Sequence, residues 1–214
     1  MLCRTARAGV IAIGLLSVLT ATAAHAADFS VSGTFAADNQ AALFAFSISD
    51  PAAPVTIRTL GYGGGINSNG ANINAGGFDP VLSLFGSDFQ VIGYHDDGTA
   101  GTVPSDPSTG IAADAAWQLS LPSGSYFVAL SQYDNYAAGP SMADGFLYSD
   151  PNFTSQYGTP GSLFLDSSGN QRNGAWALDI TGAINAAAVP EPGTAALLLA
   201  GMALYGVSLI RRRK

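Results

Sequence analysis

Aspartate is the only acidic residue between positions 27 and 188, and several copies stand where apolar runs begin or end. Asp79 precedes Val81-Leu82-Ser83-Leu84-Phe85. Asp96 and Asp97 close the following run, Gln90-Val91-Ile92-Gly93-Tyr94-His95, and Asp134 with Asn135 closes Tyr126-Phe127-Val128-Ala129-Leu130-Ser131-Gln132-Tyr133. In an antiparallel pair the start of one strand lies beside the end of the next, so Asp79 and Asp96/Asp97 are expected at one sheet edge. Calcium takes six to eight oxygen ligands, and three carboxylates with nearby carbonyls could supply them. Asp79, Asp96, Asp97, Asp134 and Asn135 are therefore the candidate ligands, with calcium as the candidate cofactor. The competing expectation is that each aspartate only caps its own turn. The EF-hand spacing is absent.

Other chemistry has few residues to use. His95 is the single histidine of residues 27–188, which hold no cysteine and no lysine. That excludes a Cys/His pair or a lysine nucleophile, and no Gly-x-Ser-x-Gly elbow is present. No catalytic residue is assigned, and the expectation is a protein that is not an enzyme. An aspartate-dependent secreted hydrolase stays as the alternative, because paired carboxylates can cleave glycosides. The Gly/Asn-rich stretch 61–77 fits neither phosphate-cradling pattern: Ile66 stands where the last glycine of a dinucleotide motif belongs, and no Gly-Lys-Ser/Thr follows. It reads as a shaped surface loop.

Charge narrows the partners further. In residues 27–188 two arginines, Arg58 and Arg172, face fourteen aspartates, a net −12. So acidic a surface repels nucleic acid. Without cysteines, stability must come from apolar burial or a bound metal.

The elements that would hold these groups are short strands. Period-two alternation runs through Phe29, Val31, Gly33 and Phe35, and again through Ala42, Phe44, Phe46 and Ile48, and a β-branched run spans 55–60. These three are expected to be consecutive antiparallel neighbours. A hairpin is predicted over 81–94 with its turn at Gly86-Ser87-Asp88. Further strands are predicted over 115–121, 126–133, 162–165 and 175–180. With no convincing helix among them, the fold class is all-β, a single antiparallel β-sandwich of jelly-roll-like form over residues 27–182. Residues 183–188 read as a small-residue linker. Tyr133, Tyr136, Tyr148 and Tyr157 are candidate exposed aromatics for polysaccharide, or ordinary packing residues.

Both ends of the chain are addresses. Arg4 and Arg7, an apolar run and Ala24-His25-Ala26 form a secretory signal peptide over residues 1–26, cut by signal peptidase before Ala27. Cys3 lies within that signal, which argues against a lipoprotein. At the other end, residues 189–214 hold Pro190-Glu191-Pro192, then an apolar block and then Arg211-Arg212-Arg213-Lys214. Residues 193–210 form a predicted transmembrane helix of 18 residues, roughly 27 Å long, enough for a bilayer core. The basic stop keeps its end cytoplasmic and the cargo outside.

The motif, apolar block and basic stop resemble the PEP-CTERM sorting signal of Gram-negative bacteria. The resemblance implies that Pro190, Glu191 and Pro192 are recognised by exosortase, a membrane cysteine protease. It also implies that the tail is a transient inner-membrane anchor, and that the cargo reaches the cell envelope, surface or matrix in company with exopolysaccharide and biofilm formation. Gly76-Gly77-Phe78-Asp79-Pro80-Val81-Leu82-Ser83-Leu84-Phe85, with Asp96-Asp97-Gly98 and Gly124–130, resembles a secreted domain often joined to such tails. It is also similar, more distantly, to bacterial pre-peptidase C-terminal domains. That likeness implies a small β-sandwich, in some cases calcium-binding, that assists matrix or substrate binding. The functional expectation is a non-catalytic surface or matrix protein; a calcium-dependent carbohydrate-binding or adhesion module is the alternative.

Overall fold

The computed structural model describes residues 28–99 and 101–190. The signal peptide with Ala24 and Ala26, the predicted span 193–210, Glu191, Pro192 and Arg211, Arg212, Arg213 and Lys214 lie outside the described residues. Among the described residues no helix is long and apolar enough to cross a membrane.

Eleven strands, all paired antiparallel, make up the described chain: β1 Phe29–Thr34, β2 Ala41–Ile48, β3 Val55–Thr59, β4 Gly65–Ile66, β5 Asn72–Ile73, β6 Pro80–Phe85, β7 Val91–His95, β8 Ala116–Leu119, β9 Gly124–Gln132, β10 Ala175–Thr181 and β11 Ile184–Val189. One sheet has the order β1-β10-β3-β8, the other β11-β2-β9-β6-β7, and β4-β5 form a small separate hairpin. Two short 3₁₀ helices, Met142–Asp144 and Phe153–Tyr157, interrupt the long loop between β9 and β10.

The alternation seen in the sequence is what builds the core. Phe44, Phe46 and Ile48 of β2 meet Val55 and Ile57 of β3 and Leu178 and Ile180 of β10 between the sheets. Removing such side chains from water at about 25 cal/mol per Å² is the main stabilising term. Trp176 closes one end of this layer, edge-on to Phe44 at 5.9 Å. Strand β6 is buried on both faces, because the loop after β9 lays Ala137, Met142 and Phe146 over Phe85 and Ala129. That is why its sequence reads as a nearly unbroken apolar run.

Three expectations are corrected. Strands β1, β2 and β3 are not neighbours: β10 lies between β1 and β3, and β2 belongs to the opposite sheet. Local alternation marks which face of a strand is buried but not which sheet it joins. Residues 162–165 form no strand. The backbone N–H of Phe164 donates to Asp38 Oδ1 at 2.7 Å and that of Leu165 to Thr154 Oγ1 at 3.1 Å, so side chains take the bonds that a neighbouring strand would accept. Finally, residues 184–189, expected within or beside a linker, are strand β11 at the sheet edge. Ala183 is buried and Ala186 packs on the core, so the small side chains let this segment lie close against β2.

Buried carboxylates shape the loops. Asp114 accepts from Thr59 Oγ1 at 2.9 Å, Tyr62 N at 3.1 Å and Gly63 N at 2.7 Å, which fixes the start of the 61–77 loop. A side chain at Gly63 would stand 2.1 Å from the carbonyl oxygen of Pro104, so only glycine fits there. Arg172, almost wholly buried, donates to Asp106 at 3.0 Å and to the Tyr62 carbonyl at 2.9 Å while lying over the Tyr62 ring. Burial raises the Asp106 pKa, but hydrogen bonds from Arg172, Ser108 and Thr109 outweigh it and hold the carboxyl well below the usual range.

Candidate metal centre

β6 lies between β7 and β9, so its first residues sit beside the last residues of both neighbours. The register pairs Leu82 with His95, which carries Asp96 and Asp97 alongside Pro80 and Asp79. On the other side Pro80 pairs with Gln132, and Tyr133 N donates to the Asp79 carbonyl at 2.8 Å. The result is a three-carboxylate cluster: one oxygen from each of Asp79, Asp96 and Asp97 lies within 4.8 Å of the others.

The electrostatics of this cluster are uncompensated. Burial, then repulsion from Asp96 and Asp97, pushes the Asp79 carboxyl up to about 9. Burial and then Asp97 raise Asp96 to about 6, although the Tyr136 hydroxyl, donating to its Oδ2 at 3.1 Å, pulls the other way. Burial also raises Asp97, with His95 opposing. Both arginines of the described chain are committed elsewhere: Arg58 pairs with Asp179 at 2.9 Å and Arg172 with Asp106. Asp79 Oδ1 and Asp96 Oδ1 are buried and without a hydrogen-bond partner, as is Oε1 of fully buried Gln132. Orphaned buried oxygens are uncommon, because each carries the full desolvation penalty of an unmade bond. A hard divalent cation fits the three-carboxylate donor set of Asp79, Asp96 and Asp97.

Asp134 and Asn135 stand near this cluster without joining it. Asp134 is close enough to Asp96 to help raise it, and its Oδ2 accepts from the Tyr148 hydroxyl at 3.5 Å. Asn135 is fully buried, and its Oδ1 accepts from Tyr148 N at 2.8 Å, which makes it a loop fastener. Of the two readings for Tyr133, Tyr136, Tyr148 and Tyr157, packing residues fit better, since all four are half-buried. Tyr136 sits edge-on to Tyr133 and Tyr94, and Tyr148 stacks on Phe153 at 4.3 Å. Among the described residues, the large apolar or aromatic side chains that are exposed are Ile66, Phe89, Ile92, Tyr94 and Leu147. His95 turns inward, stacked on Trp117 at 5.3 Å with Nε2 3.1 Å from the Ala116 carbonyl, and burial lowers its pKa.

Gln132 and the Tyr136–Asp96 bond were not anticipated. Gln132 had a readable sign: it shares the inward parity of Val128 and Leu130, where a polar side chain needs a reason. Tyr136 had none, since its contact depends on how a loop folds back.

The fold and site together define an antiparallel β-sandwich with an acid-lined strand end. The family model for the PEP-CTERM protein-sorting motif matches residues 188–214. The chain thus carries the signal of an exosortase-type sorting system and is a secreted protein directed to the cell envelope or surface. No curated protein and no solved structure matches it.

Proposed function

We propose that the sandwich is a non-catalytic surface or matrix module whose acid-lined end is closed by calcium. The observation that carries this reading is the Asp79–Asp96–Asp97 cluster, three carboxylates within 4.8 Å with orphaned oxygens and no arginine partner. Left alone, such a group of like charges opposes folding; a divalent cation turns the same charges into ligands. Asp79 is only 7% exposed, which leaves it poorly placed to act on a polymer and favours structure over hydrolysis. Association with exopolysaccharide or biofilm, export through signal peptidase and transient anchoring belong to the same reading and rest on the sorting tail.

The test is thermal unfolding of the exported protein in EDTA and in added calcium. At a calcium concentration one hundred times the dissociation constant, stabilisation should reach about 2.7 kcal/mol. At about 2–4 °C per kcal/mol for a chain of this size, that is a rise of roughly 5–11 °C. An unchanged melting temperature, or the same rise in Asp97→Asn, overturns the reading.

A calcium-dependent carbohydrate-binding role is favoured by one further observation. Tyr94, 42% exposed, packs edge-on against Tyr136, whose hydroxyl bonds Asp96, so an aromatic surface adjoins the cluster. Aromatic faces suit sugar rings because they are flat, apolar and carry a polar tip. A glycan array run with calcium and with EDTA tests it; a hit lost in EDTA and in Tyr94→Ala supports it. Release of reducing sugar from a bound polymer, lost in Asp97→Asn, would instead point to hydrolysis.

A further inference from the structure

We propose that strand β11 gates the processing of the sorting motif: the protease gains the motif only when the end of β11 leaves β2. The inference rests on the exosortase reading and adds to it a control exerted by the cargo's own sheet.

β11 pairs with β2 up to Val189, whose partner is Leu43, and Pro190, the first residue of Pro190-Glu191-Pro192, follows with no spacer. The sorting-motif match begins at Ala188, so its first two residues are sheet residues, with Ala188 opposite Phe44. Where the pairing stops, an apolar notch of about 450 Å³ opens, walled by Phe35, Phe44, Trp176, Met142 and Phe146. Val189 and Pro190 form part of its lining, so the start of the motif is seated on the domain rather than held away from it.

A protein that grips a peptide as an added strand needs the peptide's backbone N–H and C=O groups for itself. The backbone of residues 187–189 is already engaged with β2. No residue separates paired Val189 from Pro190, so the chain offers no spacer on the cargo side of the motif while Val189 stays paired. An enzyme holding both sides of the motif must therefore lift the end of β11.

β11 is suited to being lifted. It is an edge strand, held by one neighbour only. Its register breaks between Ile184 and Ala187, where Asn185 takes a positive φ of 54°, and alanines fill most of the rest. Edge segments with little buried apolar surface open at far lower free energy than the core. β2 keeps its full pairing with β9 when β11 leaves, so opening does not require unfolding.

A disulfide across the edge tests the gate. Ala45 and Ala187 are paired across β2 and β11, and Ala187 is exposed. Antiparallel Cα spacings of about 4.5–5.5 Å fall within the range a disulfide spans. No native cysteine in residues 27–188 competes. The full chain is expressed in an exporting host with an active exosortase, and tail loss is followed by intact mass. Wild type should lose its tail. Oxidised Ala45→Cys/Ala187→Cys should do so at least tenfold more slowly, and recover on reduction. Adding an eight-residue Gly/Ser spacer between Val189 and Pro190 should restore processing of the locked chain without reduction. Wild-type rates in the oxidised double variant overturn the gate, and so does a locked chain that the spacer fails to rescue. If wild type itself keeps its tail, the exosortase reading falls and takes the gate with it.

Discussion

Replacing Asp79 by asparagine separates a metal site from an accidental gathering of acids. In the folded, metal-free protein the Asp79 carboxyl titrates at about 9 rather than 3.8. A raised folded pKa means that the stability contributed by this group is complete below pH about 4 and is lost as pH climbs towards 9. At pH 7 the unfolded chain ionises Asp79 and the folded chain does not. At about 1.4 kcal/mol per pH unit over the roughly 3 units from 3.8 to 7, the penalty has a ceiling of about 4 kcal/mol. Asparagine has the shape of the protonated acid and no such penalty. Asp79→Asn should therefore be more stable than wild type in EDTA at pH 7, by up to about 4 kcal/mol, and its stability should vary less with pH. With calcium the order of gains reverses: wild type is stabilised and the variant much less. Calorimetry in buffers of different ionisation enthalpy should find about one proton released per cation bound by wild type at pH 7, and none from Asp79 in the variant. Denaturant melts with and without calcium, at pH 5 and pH 7, provide the assay. A variant less stable than wild type in EDTA, or an equal calcium gain in both proteins, would refute the reasoning.

Other perturbations follow from the same structure. Tyr136→Phe removes the hydroxyl that lowers the Asp96 pKa, so calcium binding followed by calorimetry should weaken more at pH 6 than at pH 8. Arg172→Met leaves Asp106 buried beside no cation and should destabilise the sandwich by about 3–5 kcal/mol in urea melts, with Asp106→Leu in the same chain recovering part of the loss. Gly63→Ala drives a methyl group to 2.1 Å from the Pro104 carbonyl oxygen and should reduce stability by about 1–3 kcal/mol, measured by thermal unfolding.

Much of the site could be read before folding because it depends on neighbouring strands of a hairpin. Asp79 and Asp96/Asp97 flank β6 and β7, and antiparallel geometry alone brings those ends together. The β9 side was not legible: Tyr133 N donates to the Asp79 carbonyl, and nothing in the sequence says that β9 adjoins β6 on its other side. Asp134 and Asn135 looked equivalent to the other acids because strand ends look alike in sequence; whether such a residue meets the cluster or a tyrosine is set by the loop that follows.

The sequence by itself determined the all-β class, most strand positions and the sorting tail, because period-two alternation, turn residues and an ordered motif are local properties of the chain. Only the tertiary structure decided that β10 separates β1 from β3, that buried Asp38 and Asp114 fasten distant loops, and that the small residues before Pro190 are a strand. Those outcomes rest on contacts between segments up to 126 residues apart, as for Asp38 and Phe164. Alanine, serine and aspartate suit a linker, a turn or a sheet edge equally well until a partner strand takes up their hydrogen bonds.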